Sequence, residues 1–93
     1  MIKTFSNKQT VAVWRSEVPG KLPTDIVKRA KLKMKWLHAA SRIEDLRFPP
    51  SNRLEALKGN RAGKWSLRIN DQWRLCFRFE DGNAYDVEIV DYH

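Results

Sequence analysis

The sequence predicts an α+β domain in which an N-terminal strand and two helices pack on one face of an antiparallel β-sheet. Three observations carry this reading. Apolar residues recur at helical spacing as far as residue 37, they alternate at period two from residue 64 onward, and the Pro and Gly residues fall where regular structure should break. No repeat, low-complexity tract or Gly/Ser-rich linker interrupts the chain, so residues 1–93 are expected to form one domain.

Ile2-Lys3-Thr4-Phe5 reads as a strand, edge or central. Residues 7–18 place Val11, Trp14 and Val18 on one side of an amphipathic helix stopped by Pro19-Gly20. After Pro23, Thr24 is the expected N-cap, Asp25 occupies the first turn, and Ile26, Ala30, Met34 and Leu37 mark one apolar stripe. The other faces of that helix carry Lys28, Arg29, Lys31, Lys33 and Lys35 with no intervening acid. Like charges four residues apart disfavour an isolated helix, so something outside it should offset them. Ser41-Arg42-Ile43-Glu44 has capping-box spacing and predicts one more short turn before Pro49-Pro50, after which helical structure should not resume.

Arg53–Leu57 reads as a short strand leading into Lys58-Gly59. Trp65, Leu67 and Ile69 then alternate with polar residues, as do Leu75, Phe77 and Phe79 after Trp73. Asp81-Gly82-Asn83 is a turn, and Tyr85, Val87 and Ile89 extend the alternation into a last strand. Matching the apolar faces across the first hairpin requires the loop Asn70-Asp71-Gln72 and pairs Trp65 with Phe77, Leu67 with Leu75, and Ile69 with Trp73. The same register sets Arg68 opposite Arg74 and Lys64 opposite Arg78. A ladder of facing cations is unfavourable by itself and suits an anionic ligand. Asp86 is expected beside Arg78 as a neutralising partner, which makes Arg78 and Lys64 structural or peripheral.

Eighteen Lys and Arg against eleven Asp and Glu give a net charge of +7, which points to polyanions or an acidic protein as partners. Residues 1–50 hold eleven basic and four acidic residues and the remainder seven of each, so the excess sits in the first half. One cysteine, Cys76, forms no intrachain disulfide, and the N-terminus lacks signal-peptide character. Both point to the cytoplasm, with no membrane association. His38, His93 and Cys76 supply no metal-ligand cluster of recognised spacing, so metal catalysis and a structural zinc are not expected, and Gly59 and Gly63 make neither a phosphate-loop nor a dinucleotide motif. The terminal Asp91-Tyr92-His93 sets a carboxylate, a phenol and an imidazole beside cations on neighbouring strands. General acid-base chemistry is feasible there, because imidazole alone exchanges protons near neutrality without perturbation. On the strand register Tyr92 shares the face of Arg68 and Arg74, whereas Asp91 and His93 have the opposite parity. Gathering all of them requires a bulge or twist near the chain end.

The run from Leu57-Lys58-Gly59 through Gly63–Asn70, Gln72–Phe77 and Asp81–Tyr85 to Asp91-Tyr92-His93 resembles the HigB branch of the RelE/ParE superfamily of toxins over the whole length. The resemblance implies a RelE-like fold and a ribosome-dependent mRNA endonuclease that cuts in the decoding site, stopping translation and growth, without a cofactor. Carried over to this chain, Lys58 and Arg74 would hold the scissile phosphate and His93 would act as general base or acid. Asp91 would orient His93 or share the base role, and Tyr92 would stack on a base or position the nucleotide. Arg68, suggested by the facing-cation pattern, is a further substrate-binding candidate. The implied partners are a HigA-like antitoxin with a helix-turn-helix domain, the 70S ribosome with its mRNA, and operator DNA only through the antitoxin. The toxin alone would be monomeric, with the basic Lys28–Lys35 helix and the first helix as contact surfaces for antitoxin or ribosomal RNA. Two other readings compete: a ParE-like gyrase inhibitor without hydrolytic activity, and a small basic RNA-binding module.

Overall fold

A computed structural model describes residues 1–17 and 20–92, with Arg61 by its backbone alone. Val18, Pro19 and His93, all named above, lie outside the described residues. Two helices, α1 (Lys8–Trp14) and α2 (Thr24–Ala39), precede an antiparallel sheet of β1 (Glu55–Ala56), β2 (Lys64–Arg68), β3 (Trp73–Glu80) and β4 (Asn83–Asp91), which neighbour one another in chain order. The α+β architecture is the expected one. Helical structure does resume after Pro49, however, as one-turn 3-10 segments at Pro50–Asn52 and Gly59–Arg61. Proline's fixed φ and missing N–H suit the first position of such a turn.

The apolar stripe of α2 decides the packing. Ile26, Ala30, Met34 and Leu37 are buried against a core that includes Leu67, Leu75, Phe77 and Val87 of the sheet. Each large side chain so removed from water contributes about 1.5–3 kcal/mol. Thr24 proves to be the first helical residue rather than the cap. Pro23 occupies the cap, its carbonyl accepting from the N–H groups of Ile26 (3.1 Å) and Val27 (3.2 Å). Two of the five cations on α2 are drawn inward. Lys31 Nζ donates to the Trp14 carbonyl and to Ser16 Oγ, and buried Lys33 donates to Asn52 Oδ1 while lying over the Trp36 ring. These contacts anchor two of the five cations on neutral acceptors and leave the charge of the helix uncancelled.

Helix α1 is capped by Asn7, whose Oδ1 accepts from Thr10 N (2.9 Å) and Thr10 Oγ1 (2.8 Å). It ends at Trp14, four residues short of Val18, because Ser16 turns left-handed (φ 62°) and Glu17 N–H reaches back to the Ala12 carbonyl at 2.8 Å. The expected capping box at Ser41–Glu44 shifts by one residue. The turn spans Ile43–Arg47, and it is Asp45, not Glu44, whose Oδ2 accepts from the N–H groups of Ser41 (3.0 Å) and Arg42 (3.1 Å). Those two donors hold the Asp45 carboxyl below its ordinary range.

In the first hairpin Lys64, Trp65, Leu67 and Arg68 pair with Arg78, Phe77, Leu75 and Arg74, as expected, and Ile69 N–H bonds the Trp73 carbonyl at 2.9 Å. Asn70 Oδ1 closes the loop by accepting from Gln72 N and Trp73 N, both at 2.8 Å. The strand expected over Arg53–Leu57 contracts to Glu55–Ala56. The second hairpin departs from expectation. Glu80 pairs with Asn83 around a two-residue Asp81-Gly82 turn with both φ values positive (52° and 78°), the geometry of a type I′ turn. Arg78 consequently faces Tyr85 rather than Asp86, and Asp86 (φ 54°) is the extra residue of a β-bulge that restores the register by Cys76↔Glu88. Tyr85 therefore leaves the Val87/Ile89 face, and Ala84 fills the core in its place.

The N-terminal strand is reduced to two parallel bridges, Ile2↔Ala84 and Phe5↔Val87, along the outer edge of β4. Farther along that edge, buried Thr10 Oγ1 accepts from Ile89 N–H at 3.0 Å, tying α1 to the sheet. Thr10→Val is expected to leave that N–H unpaired and cost about 1–3 kcal/mol, read from urea unfolding. Because Asp45 has a lowered carboxyl pKa in the fold, its contribution is present above the unfolded value and lost as pH falls through the folded one. Thermal melts should therefore separate Asp45→Asn from the wild type at about pH 7 and bring the two together at about pH 2.

Candidate functional site

Strand parity sends Lys64, Ser66 and Arg68 of β2 and Arg74, Cys76 and Arg78 of β3 to the face away from α2. Arg74 is the best-anchored cation there. Its Nε donates to Ser66 Oγ at 2.9 Å, one terminal nitrogen donates to the Arg53 carbonyl at 2.7 Å, and the same nitrogen lies 3.7 Å from a Glu55 carboxylate oxygen. Only 13% of the Arg74 side chain remains exposed. A guanidinium has five donor hydrogens, so these contacts fix its plane and leave donors for a ligand. Tyr92 completes the cluster, its ring centroid 5.9 Å from Arg74 Cζ.

The facing-cation ladder is relieved residue by residue. Arg68 pairs with Asp71 at the hairpin loop, which lowers the Asp71 carboxyl through the guanidinium hydrogen bond. Arg78 is held by Glu80 (2.8 Å) and by Asp86 (3.7 Å), so the bulge preserves the expected ion pair although it moves the register. Arg78 also lies over the Tyr85 ring at 4.6 Å. Arg78 is thus structural, and Arg74 is the cation whose surroundings orient it.

The remaining candidates are distributed around Arg74. Lys58 is exposed at the start of the Gly59–Arg61 turn, following Leu57, whose N–H bonds the Lys64 carbonyl at the beginning of β2, whereas Arg74 pairs with Arg68 at the other end of that strand. Asp91 pairs with Trp73 at the end of β4 and its Oδ1 accepts from Gln72 Nε2 at 3.1 Å. The bulge lies at Asp86 and not near the chain end, so β4 runs on in register to Asp91. Tyr92 meets Arg74 while Asp91 keeps the opposite parity. His93, the proton-transfer candidate, lies outside the described residues. Among the described residues no cluster of His, Cys, Asp and Glu fits a metal ion, and no helix is long and apolar enough to cross a membrane.

Three groups that seat Arg74 are not among the site residues expected from the sequence. Ser66 was accessible in principle, since it shares parity with Arg68. Glu55 was not, because a two-residue strand leaves its register to the surrounding loops. The Arg53 carbonyl depends on a left-handed backbone (φ 44°) at the end of the Pro50–Asn52 turn, which no side-chain pattern announces.

Comparison with known proteins gives a consistent family. A family model described as the RelE-like toxin of the type II toxin-antitoxin system HigB matches residues 3–93. The chain is 32% identical over 93 residues to a Proteus vulgaris protein named endoribonuclease HigB, covering all of both chains. It is 44% identical over 66 residues to toxin HigB-1 of Vibrio cholerae, covering 71% of this chain and 70% of that one. Among solved structures, it resembles a chain of the Staphylococcus aureus YoeB-YefM toxin-antitoxin complex (TM-score 0.64, 19% identity, 100% and 98% of the two chains). It also resembles YafQ of E. coli (TM-score 0.63, 17% identity, 98% and 91%), and both likenesses concern the fold.

Ser66→Ala removes the acceptor for Arg74 Nε. The expected result is fast solvent exchange of the Arg74 Nε proton by NMR, where the wild type exchanges slowly, with a stability loss of about 1–3 kcal/mol.

Proposed function

The chain belongs to the RelE-like toxins of HigB type II toxin-antitoxin systems, and from that premise we propose that it is an endoribonuclease that cleaves translated mRNA in the ribosomal decoding site. The observation that supports this most directly is Arg74: a guanidinium oriented by Ser66, Arg53 and Glu55, beside Tyr92, on the face of the sheet that α2 leaves open. The proposed reaction needs no metal. The 2′-oxygen attacks the adjacent phosphorus as its proton passes to a base, the bond to the 5′-oxygen breaks, and an acid protonates that oxygen. Charge grows on the phosphoryl oxygens as the pentacoordinate phosphorus forms, and oriented donors stabilise it more than they stabilise the ground state.

In this scheme Arg74 holds the scissile phosphate and Lys58 approaches it as a second cation. Tyr92 stacks on or positions the nucleotide, Arg68 binds the flanking chain, and His93 with Asp91 moves the protons. The ribosome supplies the message in an extended, single-stranded form. As a member of a toxin-antitoxin system the chain has an antitoxin partner. We assign that partner a helix-turn-helix domain, through which alone the complex meets operator DNA, and place the monomeric, single-domain toxin in the cytoplasm.

Cleavage-site mapping on a defined mRNA in a purified translation system, with and without ribosomes, tests the reading. Cuts should require ribosomes, vanish in His93→Ala, and fall about 10²- to 10³-fold in Arg74→Lys, which keeps the charge but loses the planar donor array. Folded wild-type protein that cuts no message under either condition would overturn the nuclease and direct attention to gyrase inhibition.

A further inference from the structure

A second cationic site lies at the corner where α2, the Pro50–Asn52 turn and the end of β2 meet. There Arg29, Leu32, Lys33, Ser51, Arg68 and Ile69 line a cleft of about 280 Å³. Its walls carry three cations and a hydroxyl and no carboxylate. Lys33 is 9% exposed and spends one donor on the neutral Asn52 Oδ1. Burial, and then the charges of Arg68 and Arg29, depress its ammonium pKa. Arg29 makes no ion pair among the described residues, and the one acid that reaches Arg68 is Asp71, whose side chain is 98% exposed and stands outside the cleft. Against the single carboxylate of Asp71, the three cations leave net positive charge that an entering oxyanion would neutralise.

We propose that this cleft binds a backbone phosphate of single-stranded RNA flanking the phosphate held by Arg74, an inference that rests on the nuclease reading and extends it. Arg68 faces Arg74 directly across the β2–β3 pair. The cleft therefore continues the positive track by one cross-strand step. A polymer bearing one negative charge per residue engages both positions at once, whereas an isolated acidic side chain engages one. Leu32 and Ile69 add an apolar wall against which a ribose packs, and Ser51 offers a hydroxyl to the phosphate or sugar.

The test is the affinity of the full chain for a short single-stranded 2′-O-methyl oligoribonucleotide, which cannot be cut, measured by fluorescence anisotropy across a salt series. Arg29 is exposed and Arg68 is partly so, so Arg29→Gln and Arg68→Gln are suited to folding where a Lys33 variant is less so. Each is expected to weaken binding about tenfold at low salt and to flatten the dependence of log K on log salt by about 0.7, the value of one phosphate contact on a single strand. Lys21→Gln, the same charge change on a residue outside the cleft, should stay within about twofold of the wild type. Equal behaviour of Arg29→Gln and Lys21→Gln would overturn the proposal. So would Arg29→Gln variants that bind RNA normally but lose affinity for the antitoxin, since the cleft would then be a protein contact. Because the oligonucleotide reports binding alone, a chain that binds it through Arg29 but cuts no message would fail as a nuclease and keep the cleft. A chain that cuts while Arg29→Gln binds normally would lose the cleft alone.

Discussion

Everything functional in this molecule depends on a sheet that is apolar on one side only. Period-two alternation in β2 and β3 commits Leu67, Leu75 and Phe77 to a single face, and the stripe of α2 closes over it. The price is that the charged residues between them share the opposite face, where Arg68 meets Arg74 and Lys64 meets Arg78 at cross-strand distance. Repulsion on that face is relieved by a different set of partners for each arginine. Those partners determine which cation is spent on structure and which keeps donors for a ligand. Arg78 is enclosed by two carboxylates and a ring, the nearer carboxylate at 2.8 Å, whereas Arg74 is aimed by a hydroxyl and a carbonyl that leave its charge intact, with its one carboxylate, Glu55, 3.7 Å away.

The loop from Ala40 to Leu54 connects the two faces. Asn52, buried, receives Lys33 from α2 and donates to the carbonyls of Leu46 and Phe48. One residue later, Arg53 turns left-handed and offers its carbonyl to Arg74. Adjacent residues of one segment thus fix a cation in the α2 corner and another on the open face. Substitutions in this loop are expected to displace Lys33 and Arg74 together.

Much of this was legible in the sequence because strong periodicity constrains register. The pairings of the first hairpin, the α2 stripe and the juxtaposition of Arg68 with Arg74 all follow from counting. The misreadings share a cause as well: each was settled by backbone chemistry that side-chain pattern does not encode. Helix α1 stops where Ser16 goes left-handed, the capping carboxylate is Asp45 because its oxygen reaches two N–H groups, and a two-residue turn forces the bulge at Asp86 that releases Tyr85 to the open face. In the candidate site, Arg74 and Tyr92 come together as parity requires. Glu55 and the Arg53 carbonyl were hidden, since both are placed by a loop and a minimal strand.

The bond from Ile89 N–H to Thr10, with those from Val87 N–H to the Thr4 carbonyl and from Ser6 N–H to the Val87 carbonyl, joins the first turns of the chain to its final strand. Contacts so distant in sequence are the slow ones to form, because the whole intervening loop must be ordered before they contribute. A nascent chain emerging from a ribosome presents residues 4–10 early and must wait for β4 before their partners exist. An interrupted synthesis leaves the outer sheet edge uncovered and Thr10 without its strand. Assembly of the fold is therefore coupled to synthesis as far as β4, so that the chain acquires its working shape only after translation has carried it through that strand.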